Sequence, residues 1–392
     1  MNRNLGLLAL CQGLFLTNNV TFIAINGLVG LALAPLGWMA TLPVMGYVVG
    51  GALSTGVVAR TQSRFGRKAS FQLGLVVAFL SALLCAYAAF SKNFWLLCAA
   101  TVIAGYYNAN AGLYRFAAAE LAGKTAHEKA VSLVMAGGLL GAVLGPNLAA
   151  RTRNLFEVPF AGAYIALAGV ALLGMLALAF ITFPPLPPRK AGPQGRPLGQ
   201  IMRQPVFIVA AATGALSFGI MNLLMAATPI AMQMCGLPFS DAALVLEWHV
   251  IGMFAPGFFT GHLIKRFGAL TIMGVGIALY LGCIAVALSG VDLHQFLVAL
   301  LLLGVGWNFV FTGSTTLSLS AYTPEEKDRA QGALNFFVFA TLALSSFASG
   351  VLVTTRGWTL LNWGSLPVVL LTAAAMLWLV LVTKRAQNQA NL

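Results

Sequence analysis

Apolar residues in this chain fall in long unbroken runs separated by short polar breaks, from one end to the other. A helix that crosses a hydrocarbon core needs about 20 such residues. Twelve runs reach that length, at roughly 5–31, 38–58, 70–89, 94–118, 130–150, 158–182, 205–231, 241–263, 269–288, 294–320, 330–354 and 359–382. The pattern predicts an all-α polytopic membrane protein with twelve transmembrane helices. The first run is too long for the apolar region of a cleavable signal and lacks a small-residue cleavage site, so it is expected to remain as the first span.

The polar breaks also carry organisation. Residues 183–204 mix Pro184, Pro185, Pro187, Pro188, Pro193 and Pro197 with Lys, Arg and Gly, a composition that cannot span a membrane. This predicts a six-helix unit over 1–182, a cytoplasmic Pro-rich linker over 183–204 and a second six-helix unit over 205–392. The units repeat: Arg64-Phe-Gly66 after the second run recurs as Arg266-Phe-Gly268 after the eighth, 202 residues on. Asn108 is echoed by Asn308, and Glu128-Lys-Ala130 by Lys327-Asp-Arg-Ala330. Two six-helix bundles related by a parallel, pseudo-two-fold repeat place a substrate near the midplane between them.

Composition agrees: 59% of residues are hydrophobic and 8% charged, with mean hydropathy +0.89. The net charge of +13 would fit nucleic acid, but its distribution argues otherwise. With the N-terminus inside, Arg3, Arg60, Arg64, Arg67, Lys68, Lys124, Lys129, Arg189, Lys190, Arg196, Arg203, Lys265, Arg266, Lys327, Arg329, Lys384 and Arg385 all lie on the cytoplasmic side. Lys92, Arg151, Arg153 and Arg356 alone lie opposite, and Arg115 stays within a span. By the positive-inside rule both termini are cytoplasmic, and no nucleic-acid partner is expected. Cys11, Cys85, Cys98, Cys235 and Cys283 show no CxxC spacing, so no disulfide framework is expected.

Soft metal-ligand chemistry is concentrated in two consecutive spans, as Met221-x-x-x-Met225 and His249-x-x-x-Met253. Four-residue spacing puts each pair on one helix face, one turn apart. Thioether and imidazole donors suit copper, whereas Mg²⁺, Ca²⁺ and Mn²⁺ ask for oxygen. Taking residues 231 and 241 as outer ends, Met225, Met221, His249 and Met253 lie about 9, 15, 12 and 18 Å deep, close enough in level to share an ion. Met232, Met234 and Cys235 extend the soft donors toward the outer end as a candidate metal entry. Other polar groups in the spans offer alternatives. Glu247 lies about 200° around the helix from His249 and reads as a helix–helix hydrogen bond. Tyr107, Asn108, Tyr114 and Arg115, with Tyr106 and Asn110 beside them and Asn308 in the tenth span, form a polar and aromatic stripe suited to an organic anion or to interhelix packing. Asn18, Asn19, Asn26 and Trp307 pose the same choice. His127, His262 and His294 lie near loops and are assigned no role.

The whole chain resembles the major facilitator superfamily of transporters. Its loop signature after the second span is matched at Arg64, Gly66, Arg67 and Lys68, with Ala59 and Ser63 in place of the usual Gly and Asp, and its fifth-span pattern at Gly141, Gly145 and Pro146. Within the superfamily, the Met/Met and His/Met pairs look like those of the CcoA-like copper importers (the CalT group). That resemblance implies import of copper ions across the bacterial inner membrane by alternating access, for assembly of cytochrome c oxidase of the cbb3 type. Met221, Met225, His249 and Met253 would hold the ion, and Arg64, Gly66, Arg67, Arg266 and Gly268 would form the gating loops. A cytoplasmic copper chaperone would take delivery, and copper would be substrate rather than resident cofactor. Relatives lacking the ligands resemble riboflavin importers, so the rival expectation is a carrier of riboflavin or an organic anion. No acid/base or nucleophile constellation points to an enzyme, and no ATP-binding motif appears.

Overall fold

A computed structural model describes residues 3–122, 127–184, 195–323 and 325–390. Among them every regular element is helical, as sustained apolar runs in lipid require, because each backbone amide must find its partner within its own segment. The elements are α1 (Arg3–Leu33), a 3₁₀ turn at Gly37–Met39, α2 (Leu42–Phe90), α3 (Phe94–Ala111), α4 (Tyr114–Ala122), α5 (His127–Thr152) and α6 (Ala161–Ala179). There follow α7 (Leu198–Met202), α8 (Pro205–Met234), α9 (Phe239–Phe254), α10 (Gly257–Phe267), α11 (Ala269–Ser289), α12 (Leu293–Ser318), a 3₁₀ turn at Leu319–Ala321 and α13 (Lys327–Ala390).

Among the described residues, eight helices are long and apolar enough to cross a membrane, or nine with α9 and α10 taken as one span bent by 41°. Two of the helices are double. At 49 residues α2 is broken at Gly66 (φ 81°, ψ 171°), and at 64 residues α13 is broken at Gly357 (φ 77°, ψ 178°). Positive φ is open to glycine and strained for other residues. Each break therefore turns one helix into two successive spans. The fourth predicted span appears as α3 and α4, interrupted by a turn at Gly112 and Leu113. Tyr106, Tyr107, Asn108 and Asn110 place the polar groups of α3 in its last two turns. Counted this way, the twelve predicted spans each have a helical counterpart. Lys124, Arg189 and Lys190, with residues 185–194 of the linker, lie outside the described residues.

Close approach between helices is set by small residues, the usual device where lipid supplies no hydrophobic drive for association. A Cβ on Gly50 or Gly105 would collide with backbone across the α2–α3 crossing, and one on Gly304 of α12 would collide with the His249 carbonyl of α9. The predicted repeat is visible in the backbone: Gly268, 202 residues after Gly66, takes φ 86° and ψ 151°.

Candidate functional site

The four predicted metal ligands are all enclosed. Met221, Met225 and Met253 expose 7% or less of their surface, and His249 none. The helices run slightly farther than the hydropathy pattern implied, with α8 ending at Met234 and α9 starting at Phe239. Counted from those ends, Met225 and His249 lie about 14 and 15 Å deep, and Met221 and Met253 about 20 and 21 Å. The two pairs are thus matched in level. The α9 face is turned onto α12, where His249 Nδ1 meets the Leu300 carbonyl at 2.6 Å. With Nδ1–H donating to that carbonyl, Nε2 is left with its lone pair, buried and without a partner.

The remaining candidates separate. Pro229 lies inside α8 without ending it; Met232 is fully buried, whereas Met234 and Cys235 are exposed at the C-terminal end of α8. Tyr107 and Tyr114 are buried under the edges of Phe15 and Phe71. Asn110 donates to the Ser70 carbonyl at 2.8 Å. That portion of the fourth-span stripe holds helices together. Asn108 is half-buried and Arg115 exposed. Asn308 is satisfied at both ends, donating to the Met253 carbonyl at 2.7 Å and accepting from the Thr260 hydroxyl at 2.6 Å. It ties α12 to the α9–α10 break. In the first span Asn19 donates to the Tyr47 hydroxyl at 3.2 Å, and Asn26 accepts from the Tyr164 hydroxyl at 2.6 Å.

A ring cluster escaped the sequence reading. Trp307 stacks on Phe311 one turn along α12, with centroids 5.1 Å apart and planes 9° apart. Phe218 of α8 meets both edge-on at 5.0 Å, and Phe254, at the end of α9, stands 6.2 Å from Trp307. Trp307 is 6% exposed and its indole N–H has no acceptor. Phe254, from the second half of the sequence, packs against an apolar cluster whose other members all lie between residues 5 and 183, so it stands on the boundary between halves. The sequence singled out Trp307 beside Asn308 but not its ring partners, of which only Phe311 shares its helix, at a four-residue spacing common in any apolar helix.

One end of the boundary is closed by paired groups. Asn147 of α5 donates to Glu247 of α9 at 2.8 Å, which answers the question left by that carboxylate. Thr41 donates to the Ser346 carbonyl at 2.6 Å. The Arg153 guanidinium lies 5.2 Å from the Phe160 ring and 5.7 Å from the Phe239 ring, which themselves meet edge-on.

A sequence profile of the Major Facilitator Superfamily matches residues 5–344 and again 236–391. The chain belongs to that superfamily. This superfamily member is a multi-pass membrane transporter, not an enzyme. It is 38% identical to the riboflavin transporter RfnT of Brucella anthropi over 378 residues, covering 96% of this chain and 95% of the relative. It is 28% identical to the uncharacterised transporter YddS of Bacillus subtilis over 359 residues, covering 87% and 82% of the two chains. In fold it is similar to the POT family transporter PepTSo, with TM-score 0.73, 11% identity and 99% of both chains covered. The nucleoside transporter NupG is similar at TM-score 0.71 and 13% identity, covering 96% of this chain and all of that one.

The superfamily loops also hold charge pairs. Arg67 bonds Gln62 at 2.7 Å and forms a bidentate pair with Glu120, at the end of α4. Arg64 is exposed at the rim of a cleft of about 450 Å³ between this loop and residues 181–184. In the second half Ala269 stands where the repeat would place a counterpart of Arg67. Glu326, which lies 206 residues after Glu120, instead takes Arg196 from the linker, at 2.7 and 2.8 Å, with the Arg196 and Thr323 backbone amides donating to the same carboxylate. These donors hold the Glu326 carboxyl well below the usual carboxylate range, and the pairing raises Arg196. Arg266 remains exposed beside Gly268.

Proposed function

We propose that this transporter moves riboflavin, or a solute built on the same planar ring system, across its membrane by alternating access. The observation that carries the reading is 38% identity, along 96% of the chain, to a riboflavin transporter. The supporting chemistry is the Phe218, Phe254, Trp307 and Phe311 cluster on the boundary between halves, since aromatic faces and edges bind flat ring systems well. In this account residues 1–182 and 205–392 rock as two bundles joined by the 183–204 linker. The Asn147–Glu247, Thr41–Ser346 and Arg153 contacts part when one end opens, and the Arg64–Gly66–Arg67 and Arg266–Gly268 loops change contacts at the other. With no ATP-binding motif, a solute or ion gradient supplies the energy. The positive-inside pattern supports cytoplasmic termini, in a bacterial inner membrane. Labelled riboflavin uptake into vesicles containing the purified protein tests the reading: saturable uptake above protein-free vesicles is expected, and its absence would overturn it.

A second reading, copper import through Met221, Met225, His249 and Met253 with handover to a cytoplasmic chaperone, is favoured by one observation. Nδ1 bonded to a backbone carbonyl, with Nε2 free and buried, is the arrangement that fixes an imidazole as a metal ligand. Under it, purified protein would bind one Cu(I) competitively with a chelator, and His249→Gln would weaken that binding at least tenfold. Unchanged binding, or none in the wild type, would remove it.

A further inference from the structure

The indole N–H of Trp307 is enclosed, unpaired and surrounded by rings, while its immediate neighbour Asn308 has both of its polar atoms matched. Packing alone accounts for Asn308, which holds α12 against the break between α9 and α10. It does not account for a buried donor left idle one residue earlier, because the large majority of buried side-chain polar groups in folded proteins are paired. The rings around it are not sealed either: Phe218, Phe254 and Phe311 are each half-buried, so part of each ring is open. Measured from the outer helix ends, Phe254, Trp307, Phe218 and Phe311 lie about 22, 21, 24 and 27 Å deep. They form one layer spanning about 6 Å of depth. The layer also adjoins the 41° bend between α9 and α10, and interrupted helices are where transporters of this general plan place binding groups.

We infer that Phe218, Phe254, Trp307 and Phe311 form the seat for the flat ring of the transported solute, and that the Trp307 N–H donates to a carbonyl or ring nitrogen on its edge. The solute class is a planar heteroaromatic carrying an in-plane acceptor, matched to ring faces and edges and to one N–H donor. Naming riboflavin as the occupant rests on the preceding functional reading, but the seat itself rests on the rings and the unpaired donor. Because Phe254 packs against both halves, a ring lodged beside it touches the element that must move, which couples occupancy to rocking.

The test uses the full chain in lipid nanodiscs, with quenching of ligand and protein fluorescence as the binding readout and thermal melting as the check on folding. Riboflavin and lumichrome, the alloxazine tautomer of its ring system without the sugar-like chain but with both ring carbonyls kept, are the two probes. Trp307→Phe keeps the stacking surface and removes only the donor; Phe311→Leu keeps apolar volume and removes a ring. The expected result is binding of both probes by the wild type, weakened about tenfold in Trp307→Phe, as for the loss of one hydrogen bond, and also weakened in Phe311→Leu, with melting unchanged. Riboflavin bound equally by wild type and both folded variants would overturn the seat and leave the flavin reading standing. Lumichrome bound in a Trp307-dependent manner without riboflavin binding would uphold the seat and reject riboflavin as its occupant. Neither probe bound by wild type would overturn both. Should Trp307→Phe fail to fold, Phe218→Leu with Phe311→Leu decides the seat by the same comparison.

Discussion

His249 and Trp307 each leave one buried ring nitrogen without a partner, and an unmatched buried polar group costs about 1–3 kcal/mol. The two residues make opposite demands of a ligand, since the imidazole Nε2 offers a lone pair and the indole offers a proton. A soft cation answers the first and a ring carbonyl the second. If flavin transport runs through the Trp307 layer, then His249→Gln, which can still donate to the Leu300 carbonyl, should leave riboflavin uptake within about twofold of wild type, because losing a non-contacting group removes little transition-state or binding energy. Uptake kinetics at equal membrane abundance check this; a loss of tenfold or more would place His249 in the flavin path. His249 and the three methionines were legible as a candidate set from spacing alone. The ring layer was not, because its members come from three helices and only Trp307 and Phe311 share one.

Helix contacts in this fold turn on single carbons. Gly304 lets α12 approach α9 closely enough for Leu300 to reach His249. Gly304→Leu is expected to push these helices apart and lower folded yield in detergent, with melting reduced by several degrees, since overpacking a close crossing costs about 1–3 kcal/mol; unchanged melting would show the crossing to be slack. The Arg196–Glu326 clasp makes a pH prediction. Glu326 titrates lower folded than unfolded, so its contribution is full above the ordinary carboxylate range and is lost as pH falls through that range toward its folded value. Wild type and Glu326→Gln should therefore differ in melting at pH 7 and converge in strong acid, and equal melting at pH 7 would show the clasp to be idle. The helices themselves were readable in the apolar runs, because lipid forces each run to satisfy its own backbone. The clasp was hidden because its arginine comes from the linker rather than from the repeat, whose counterpart position holds Ala269.

Across the molecule, the boundary between halves is where fold becomes transport. A Cβ placed on Gly350 falls 3.1 Å from the Thr41 Cβ, near the roughly 3.5–4.5 Å of a disulfide, and the five native cysteines are all free. Thr41→Cys with Gly350→Cys should thus cross-link this end under oxidation, stop uptake, and recover with reductant; uptake undiminished after complete cross-linking would show that this end does not open. The repeat and the superfamily were legible from Arg-Phe-Gly and the loop basic residues, and the sequence offered two substrates, copper first and riboflavin as its rival. The 38% relative carries riboflavin in its name, which favours the rival, and soft side chains in an apolar helix serve packing as readily as ligation. The most direct test of the account is a side-by-side uptake assay in vesicles containing the purified chain, with labelled riboflavin in one arm and labelled copper in the other. Saturable riboflavin uptake that excess copper leaves unchanged is the predicted result; copper uptake abolished by His249→Gln, with no riboflavin uptake, would contradict it.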